Sequence, residues 1–285
     1  MRSFQVPLLL IILTITVAGC SLADIRPDSI RTSISSEQFN RGRQILHRAV
    51  EAHGGKERWA KAGPILVEFR DEWPGALNRT LFMPWPESPI SLSLYALPGK
   101  DDSRIEFRSS EQKGNFWGIQ NWVPYTVDSE GLSWKPDNDT LKFWLPTLNY
   151  FLQLPFRIDE ADVVAYAGER SLDGRMFDLV FVSWGQAAPQ EKIDQYLLWI
   201  ERKTGYIEYA TYTVRDMGSF ITGTMHYSNF TDVDGLVLAT DQQVIDSPEE
   251  PGEPLHHLHI ESIKLNASVA EDFFYPSPDR QSSKH

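Results

Sequence analysis

The pattern of hydrophobic and polar positions divides the chain into a helical start and a long region of short alternating runs. Ser35 and Gln38 have the spacing of a capping box, and apolar residues then recur at helical spacing until the Gly54-Gly55 pair, which predicts a helix over residues 36–53. Residues 56–62 predict a second short helix with Trp59 turned inward. The chain therefore begins with helices that need a broad surface to pack on.

From Ile65 onward, short alternating runs are separated by Gly, Pro, Asn and Asp, a pattern typical of antiparallel strands. The predicted strands are residues 65–73, 79–83, 90–96, 104–108, 115–122, 163–167, 176–183, 195–201, 206–214, 220–230, 236–245 and 256–265. Residues 172–174, 203–205 and 232–235 have the composition of hairpin turns. About a dozen strands in local hairpins predict one large meandering sheet, which has to curl or split at that size.

Residues 143–156 interrupt the strands with an almost uncharged apolar run. The run predicts a short helix with Pro146 in its first turn and Pro155 at its end. A helix that is apolar nearly all round is either deeply buried or covers an apolar cavity. We interpret it as a helical lid.

Two predicted strands, 195–201 and 206–214, and residues 177–182 of a third are apolar on both faces and need cover on both sides. The helix over 36–53 and the lid would cover one face, and closure of the curved sheet or a ligand would cover the other. Two interpretations remain open, namely a sandwich or barrel core filled by side chains and a concave sheet with an apolar cavity.

Cys20 is the only cysteine and follows an apolar run that begins after Met1 and Arg2. This order of parts is typical of a signal peptide over residues 1–19. The sequence from Val17 to Cys20 resembles the lipobox of bacterial lipoproteins, which implies a diacylglycerol and acyl modification of Cys20. Ser21 resembles the residue that follows the cysteine in outer-membrane lipoproteins, so we expect anchoring on the periplasmic face of the outer membrane.

The net charge of the chain limits the classes of partner that it can bind. The formal charge is −12 and becomes −13 when residues 1–19, including Arg2, are removed. An acidic chain of this kind argues against nucleic acid and against electrostatic docking on anionic lipid. Hydrophobic residues make up 41% of the chain, enough for one large domain, which we place at 35–276 after a tether at 20–34 and before a tail at 277–285.

Candidate catalytic groups are few. His257, His259 and Glu261 would share one face of the last strand and could ligate zinc, although their acidic neighbourhood favours solvated surface. The His53-Gly54-Gly55 run is similar to an esterase oxyanion motif, but the chain has no Gly-x-Ser-x-Gly elbow, and a helix C-cap explains the run. We therefore expect a protein that is not an enzyme and has no metal or other cofactor.

The order of these signals resembles the LolA/LolB-like superfamily of lipoprotein carriers and receptors. The matching pieces are "EAHGGKERWAKAG", "NYFLQLPF", "YLLWIERKTGYIEYATYTV", "DVDGLVLAT" and "IESIKLNASVAEDFFYPS". The resemblance implies a mostly β, α+β fold, in which a single curved antiparallel sheet forms an incomplete barrel with the N-terminal helix and the helical lid on its concave side. It also implies a cavity suited to lipid.

We therefore predict a membrane-anchored lipoprotein that binds an apolar ligand, such as an acyl chain or the lipid of a lipoprotein, and functions in lipid or lipoprotein trafficking. The residues expected to contact the ligand are Trp117, Trp144, Leu145, Leu148, Phe151 and Leu152. One alternative is an envelope scaffold with a filled core that contacts another envelope protein through surface aromatics. A metal-dependent hydrolase is the third function that we consider.

Overall fold

The computed structural model describes residues 22–276. The predictions for the signal peptide, Cys20 and the tail at 277–285 lie outside these residues. The helices are α1 (Asp28–Arg31), α2 (Ser36–Ala52), α3 (Lys56–Ala60), α4 (Ala76–Leu81), α5 (Asp139–Leu152), α6 (Leu154–Arg157) and α7 (Glu271–Phe274), with a 3₁₀ turn at Ile158–Glu160. None of these helices combines the length and the apolar character that crossing a bilayer requires.

Thirteen antiparallel strands form one sheet. They are β1 (Ile65–Glu72), β2 (Ile90–Ala96), β3 (Ser103–Phe107), β4 (Phe116–Gln120), β5 (Val123–Asp128), β6 (Gly131–Trp134), β7 (Val163–Leu172), β8 (Arg175–Ser183), β9 (Tyr196–Glu201), β10 (Ile207–Thr213), β11 (Thr222–Val233), β12 (Leu236–Ile245) and β13 (His256–Lys264). Their order is β6-β5-β4-β3-β2-β1-β13-β12-β11-β10-β9-β8-β7, so two meanders meet where β1 pairs with β13. The edges β6 and β7 do not pair, which confirms the predicted incomplete barrel.

Eleven of the twelve predicted strands are present, and one prediction is wrong. Residues 79–83 belong largely to α4, which begins after Gly75 and in which Thr80 Oγ1 donates to the carbonyl of Ala76 at 3.0 Å. The exposed side chains of Leu77 and Leu81 mimic the apolar content of a strand. Strands β5 and β6 were not predicted, because Pro124 and the glycine and aspartate of their hairpin resemble a loop in composition.

Helix α2 confirms the first predicted helix and covers part of the inner face, which we define as the face of the sheet on which α2 and α5 pack. Ser35 accepts a hydrogen bond from the backbone N–H of Gln38, and the Gln38 side chain accepts from the backbone N–H of Ser35, so the capping box is complete. Gly42 lets the helix lie directly on β7, because a Cβ at this position would be 2.6 Å from the backbone nitrogen of Tyr166. The buried side chains Ile45, Leu46 and Ala49 then join the core.

On the second meander, the apolar part of the outer face is covered by the segment that we interpreted as a tether. Ile30 in α1 is only 1% exposed and joins a cluster with the outward-facing residues Phe177, Phe181 and Trp199. The hydroxyl of Ser29 donates to the carbonyl of Ala167 at 3.0 Å. The second cover demanded by the two-sided strands is therefore the chain's own residues 25–34 rather than sheet closure or a ligand.

Candidate functional site

A cavity of about 230 Å³ lies between α5 and the inner face of the second meander. Its wall is mostly apolar. From α5 it is lined by Phe143, Trp144, Thr147, Leu148 and Phe151, and from the sheet and its loops mainly by Tyr212, Val214, Met217, Met225, Val244 and Leu258. The interior is thus neither hollow nor completely filled.

Three of the six residues expected to contact the ligand lie in the cavity wall. They are Trp144, Leu148 and Phe151. Leu145 and Leu152 are buried in the core instead, under the inward side of α5. Trp117 packs away from the cavity, with its ring 5.7 Å from that of Trp85 and 4.7 Å from that of Phe107.

Helix α5 begins earlier than the sequence predicted. The side chain of Asn138 accepts a hydrogen bond from the backbone N–H of Leu141 at 3.0 Å and caps the helix, so Pro146 lies in its middle rather than in its first turn. Proline has no N–H to donate to the carbonyl of Lys142 one turn before it. The hydrogen-bond ladder of α5 is therefore interrupted between its two halves.

The C-terminal half of α5 is tied to the rest of the protein by buried polar groups. Asn149 Nδ2 donates to the carbonyl of Lys100 at 2.7 Å, and Gln153 Oε1 accepts from the backbone N–H of Gly99 at 2.8 Å. Tyr227 donates its hydroxyl proton to the carbonyl of Phe151 at 3.0 Å. These bonds fix the half of the helix that follows the proline, and both halves border the cavity.

His256 interrupts the apolar wall of the cavity and pairs with the buried Asp71 behind it. Asp71 is 1% exposed and accepts hydrogen bonds from the indole N–H of Trp73 at 3.1 Å and of Trp85 at 2.5 Å, and its Oδ1 lies 3.2 Å from Nδ1 of His256. The His256 ring stacks on Trp73 and meets Trp144 edge to face. His256 also lines the cavity, so its imidazole is a polar group in a largely apolar wall.

Asp71 is not among the site residues predicted from the sequence, although its position in β1 carries a signal. Alternation along β1 places Asp71 on the same face as Ile65, Val67 and Phe69, all of which are buried. A carboxylate on the apolar face of a strand needs partners, and it marks a functional or structural polar site.

Exposed apolar side chains lie at an opening beside the cavity. Leu81, Trp122 and Met217 line an adjoining opening of about 600 Å³ that shares Phe143 and Trp144 with the cavity. Leu77 lies one turn before Leu81 on α4, and Phe220 lies on the same loop as Met217. We call Leu77, Leu81, Trp122, Met217 and Phe220 the apolar rim; they are five of the seven large apolar side chains exposed in residues 22–276.

The start of the described chain is fixed beside this rim. The backbone N–H of Ala23 donates to the carbonyl of Ser219 at 2.7 Å, and the Arg215 guanidinium donates to the carbonyls of Ala23 and Ser219. Ser219 lies between the rim residues Met217 and Phe220. Ala23 therefore lies next to the apolar rim.

Two histidines of the last strand, His257 and His259, lie on the outer face, opposite the cavity. His257 Nε2 and His259 Nδ1 lie 2.8 and 2.9 Å from Oδ1 of Asp241 on the neighbouring strand. Glu261, the carboxylate that we expected beside them, instead lies 3.5 Å from Arg108. Burial raises the pKa of Asp241, but hydrogen bonds from His259, Asn229 and His257 outweigh it and lower the pKa to about 2.

The structure explains the His53-Gly54-Gly55 run without catalysis. His53 is buried, its Nδ1 lies 2.8 Å from the carbonyl of Val237, and its Nε2 accepts from the backbone N–H of Ile207 at 3.1 Å. Burial lowers the pKa of His53 to about 4, and the hydrogen bond to Val237 offsets this only in part. The neutral ring therefore joins the end of α2 to β10 and β12 at neutral pH.

No protein-family profile and no curated protein sequence matches this chain. Solved structures do match its fold. A domain described as an outer membrane lipoprotein-sorting protein from Vibrio parahaemolyticus has a TM-score of 0.55 at 12% identity, covering 84% of this chain and 97% of that one. A DUF1329 family protein from Desulfovibrio piger has a TM-score of 0.53 at 13% identity, covering 83% and 97%.

A LolA superfamily protein from Nitrosomonas europaea has a TM-score of 0.51 at 12% identity, covering 82% of this chain and 96% of that one. In all three comparisons the match extends over nearly the whole neighbouring structure, so it concerns the complete sheet and its helices rather than a shared hairpin. The chain therefore has the fold of the LolA superfamily, as the sequence resemblance predicted.

Proposed function

We propose that this protein binds the acyl part of a lipid or lipoprotein in the cavity beneath α5 and functions in lipid or lipoprotein trafficking. The observation that carries the proposal is the apolar cavity, with exposed apolar side chains at the opening beside it. The neighbouring lipoprotein-sorting and LolA structures support it through a shared fold. Binding would gain about 25 cal/mol for each Å² of apolar surface removed from water.

The size of the cavity requires α5 to move when a ligand enters. Ligand sites usually occupy about 300–1,000 Å³, more than the cavity provides. The segment that moves would be the N-terminal half of α5, with Phe143 and Trp144, because Pro146 interrupts the helix and Asn149 and Gln153 fix the rest. Such a displacement would join the cavity to the adjoining opening.

His256 would fix the position of the ligand along the cavity. It is one of the few polar residues in a largely apolar wall, and Asp71 holds its ring in place. A carbonyl or carboxyl group of an acyl ligand would bond to Nε2 of His256, while its hydrocarbon contacts Trp144, Leu148 and Phe151. Few, well-placed polar groups in an apolar pocket are the usual means of orienting a ligand.

The proposal is tested with the chain that lacks residues 1–20, titrated with a fluorescent fatty acid. Leu148→Glu places a charge in the cavity wall, and Thr147→Trp fills the cavity without adding charge; we expect both variants to lose binding. Leu132→Glu adds the same charge at an exposed position of β6 and is the matched control, which we expect to bind normally. Circular dichroism verifies that each variant is folded.

Native mass spectrometry of protein purified from its own membrane identifies any lipid that remains bound. Wild-type protein that binds no fatty acid and carries no lipid would contradict the proposal and favour the scaffold alternative. Thr147→Trp protein that is folded and still binds like the wild type would place the ligand elsewhere.

We also propose that Cys20 carries the lipid anchor and that the mouth of the cavity faces the outer membrane from the periplasm. Ala23 follows Cys20 by three positions, so the two residues are at most about 11 Å apart along the chain. Because Ala23 is bonded to Ser219 beside the apolar rim, an anchor on Cys20 would bring the rim to the bilayer surface. Intact mass spectrometry of protein from membranes tests this directly, since Cys20→Ser should abolish the added mass of the acyl groups.

A further inference from the structure

The outer face of the sheet holds a set of metal-ligand side chains that plays no part in the proposed lipid site. Nε2 of His257, Nδ1 of His259 and a carboxylate oxygen of Asp241 all lie within 4.8 Å of one another. Two imidazoles and a carboxylate are a ligand set that zinc favours, with a fourth position left for water. We propose that Asp241, His257 and His259 bind a divalent transition metal ion, with Zn²⁺ as the best match.

The distances within this cluster are close to those of an occupied site. The two nitrogens lie 2.8 and 2.9 Å from Oδ1 of Asp241. Ligand atoms of a tetrahedral zinc ion with bonds of about 2.0–2.1 Å are separated by roughly 3.3 Å. An opening of about half an ångström therefore admits the ion, and each ring then carries its proton on the other nitrogen.

The backbone fixes all three side chains in this arrangement. His257 and His259 alternate with the buried residues His256 and Leu258 along β13, so both rings point outward. Asp241 lies directly opposite His259 in the β12–β13 ladder. Regular strand geometry thus places the third ligand without any loop.

A neighbouring residue orients the carboxylate. Asn229 on β11 has a left-handed backbone conformation, with φ of 53°, and its side-chain amide donates to Oδ2 of Asp241. The bond leaves Oδ1 turned toward the histidines. Metal-binding carboxylates are commonly held by an outer hydrogen bond of this kind, and its loss weakens metal affinity about 10–100-fold.

The site also lies where a bound ion would affect the sheet. Pairing of β12 with β13 extends from Val244 and His256 only as far as Asp241 and His259. Beyond that pair, the backbone N–H of Val237 on β12 donates to the carbonyl of His53. An ion bound to both strands would hold β12 and β13 together where their pairing ends, and would raise the melting temperature of the protein.

The test uses the full-length protein in detergent micelles, first stripped with a chelator. Calorimetric titration with Zn²⁺ should show one ion per chain, and Co²⁺ in its place should give the visible absorption of a tetrahedral complex. Saturating Zn²⁺ should raise the melting temperature by several degrees, since a ligand of the folded state alone stabilises it.

The variants are Asp241→Asn, His257→Gln and His259→Gln, each expected to weaken zinc binding at least about 100-fold, and Asn229→Ala, expected to weaken it about tenfold. Glu261→Gln removes a carboxylate from the same strand and face and should leave binding unchanged. His259 is more than half exposed, so its replacement preserves the fold. Absence of tetrahedral Co²⁺ absorption in the wild type, or equal zinc affinity in folded His259→Gln protein, would overturn the proposal.

Discussion

The apolar rim should bind lipid bilayers even without the anchor on Cys20. The exposed fractions of its five side chains amount to roughly three fully exposed side chains. At about 2 kcal/mol for each, their burial in a bilayer contributes at most about 6 kcal/mol, comparable with one myristoyl chain. Phe220 alone is 73% exposed, so Phe220→Ser should cost about 2 kcal/mol, or roughly thirtyfold in partition coefficient.

The assay is co-sedimentation of the chain lacking residues 1–20 with phosphatidylcholine vesicles, repeated with vesicles that contain phosphatidylglycerol. We expect Phe220→Ser and Leu81→Ser to weaken binding, and the double variant to weaken it further. The matched controls are Phe39→Ser and Leu132→Ser, because these exposed side chains lie on α2 and β6, away from the rim. Anionic lipid should not strengthen binding, since the chain is acidic.

Two results would refute this reasoning. If the controls lose as much binding as the rim variants, adsorption is general and the rim has no special role. If the wild type binds anionic vesicles and ignores neutral ones, electrostatic attraction rather than apolar burial brings the protein to the membrane. Retention of the fatty-acid affinity in the rim variants shows in either case that the cavity is intact.

Three further predictions concern stability and the movement of α5. The free energy of unfolding should fall by about 3 kcal/mol between pH 6.5 and pH 4, because the unfolded chain takes up the proton that folded His53 excludes, and urea titrations of His53→Gln should lack this component. Gly54→Ala should destabilise the protein by about 2 kcal/mol or more in the same assay, since its Cβ would lie 2.3 Å from the carbonyl oxygen of Gly235. Pro146→Ala should restore the hydrogen bond to Lys142, stiffen α5 and slow fatty-acid binding measured by stopped-flow fluorescence.

Much of the sheet was predictable because its strands follow local rules. Alternation located eleven strands, and the turn at 232–235 has the expected form, with Asp234 and Gly235 at positive φ between paired β11 and β12. The misassigned α4 illustrates the limit of such rules. Leu77 and Leu81 of α4 are exposed, so their spacing does not indicate a buried face. Their place in the apolar rim follows only from the position of α4 beside the opening.

The cavity was predictable only in outline. The apolar character of residues 143–156 indicated a helix that covers an apolar surface. One side of that helix packs in the core, however, and another side lines the cavity. Leu145 and Leu152 face the core, while Leu148 and Phe151 reach the cavity. A sequence that is apolar all round contains no signal that separates these sides, because only the shape of the opposing sheet does so.

The outer-face histidines show that the neighbours of a strand residue can be predicted only when the pairing register of its strand is known. Alternation correctly placed His257 and His259 on one face, and the same alternation suggested Glu261 as the third ligand. The neighbours that approach a side chain most closely in a sheet lie across the ladder, and the β12–β13 register selects Asp241, 16 residues from His257 and 18 from His259. That register follows from the burial of Val244, Leu258 and Ile260 on the inner face, since a slip of one residue would turn them outward. The packing that covers the cavity thus also assembles the three metal ligands on the opposite face.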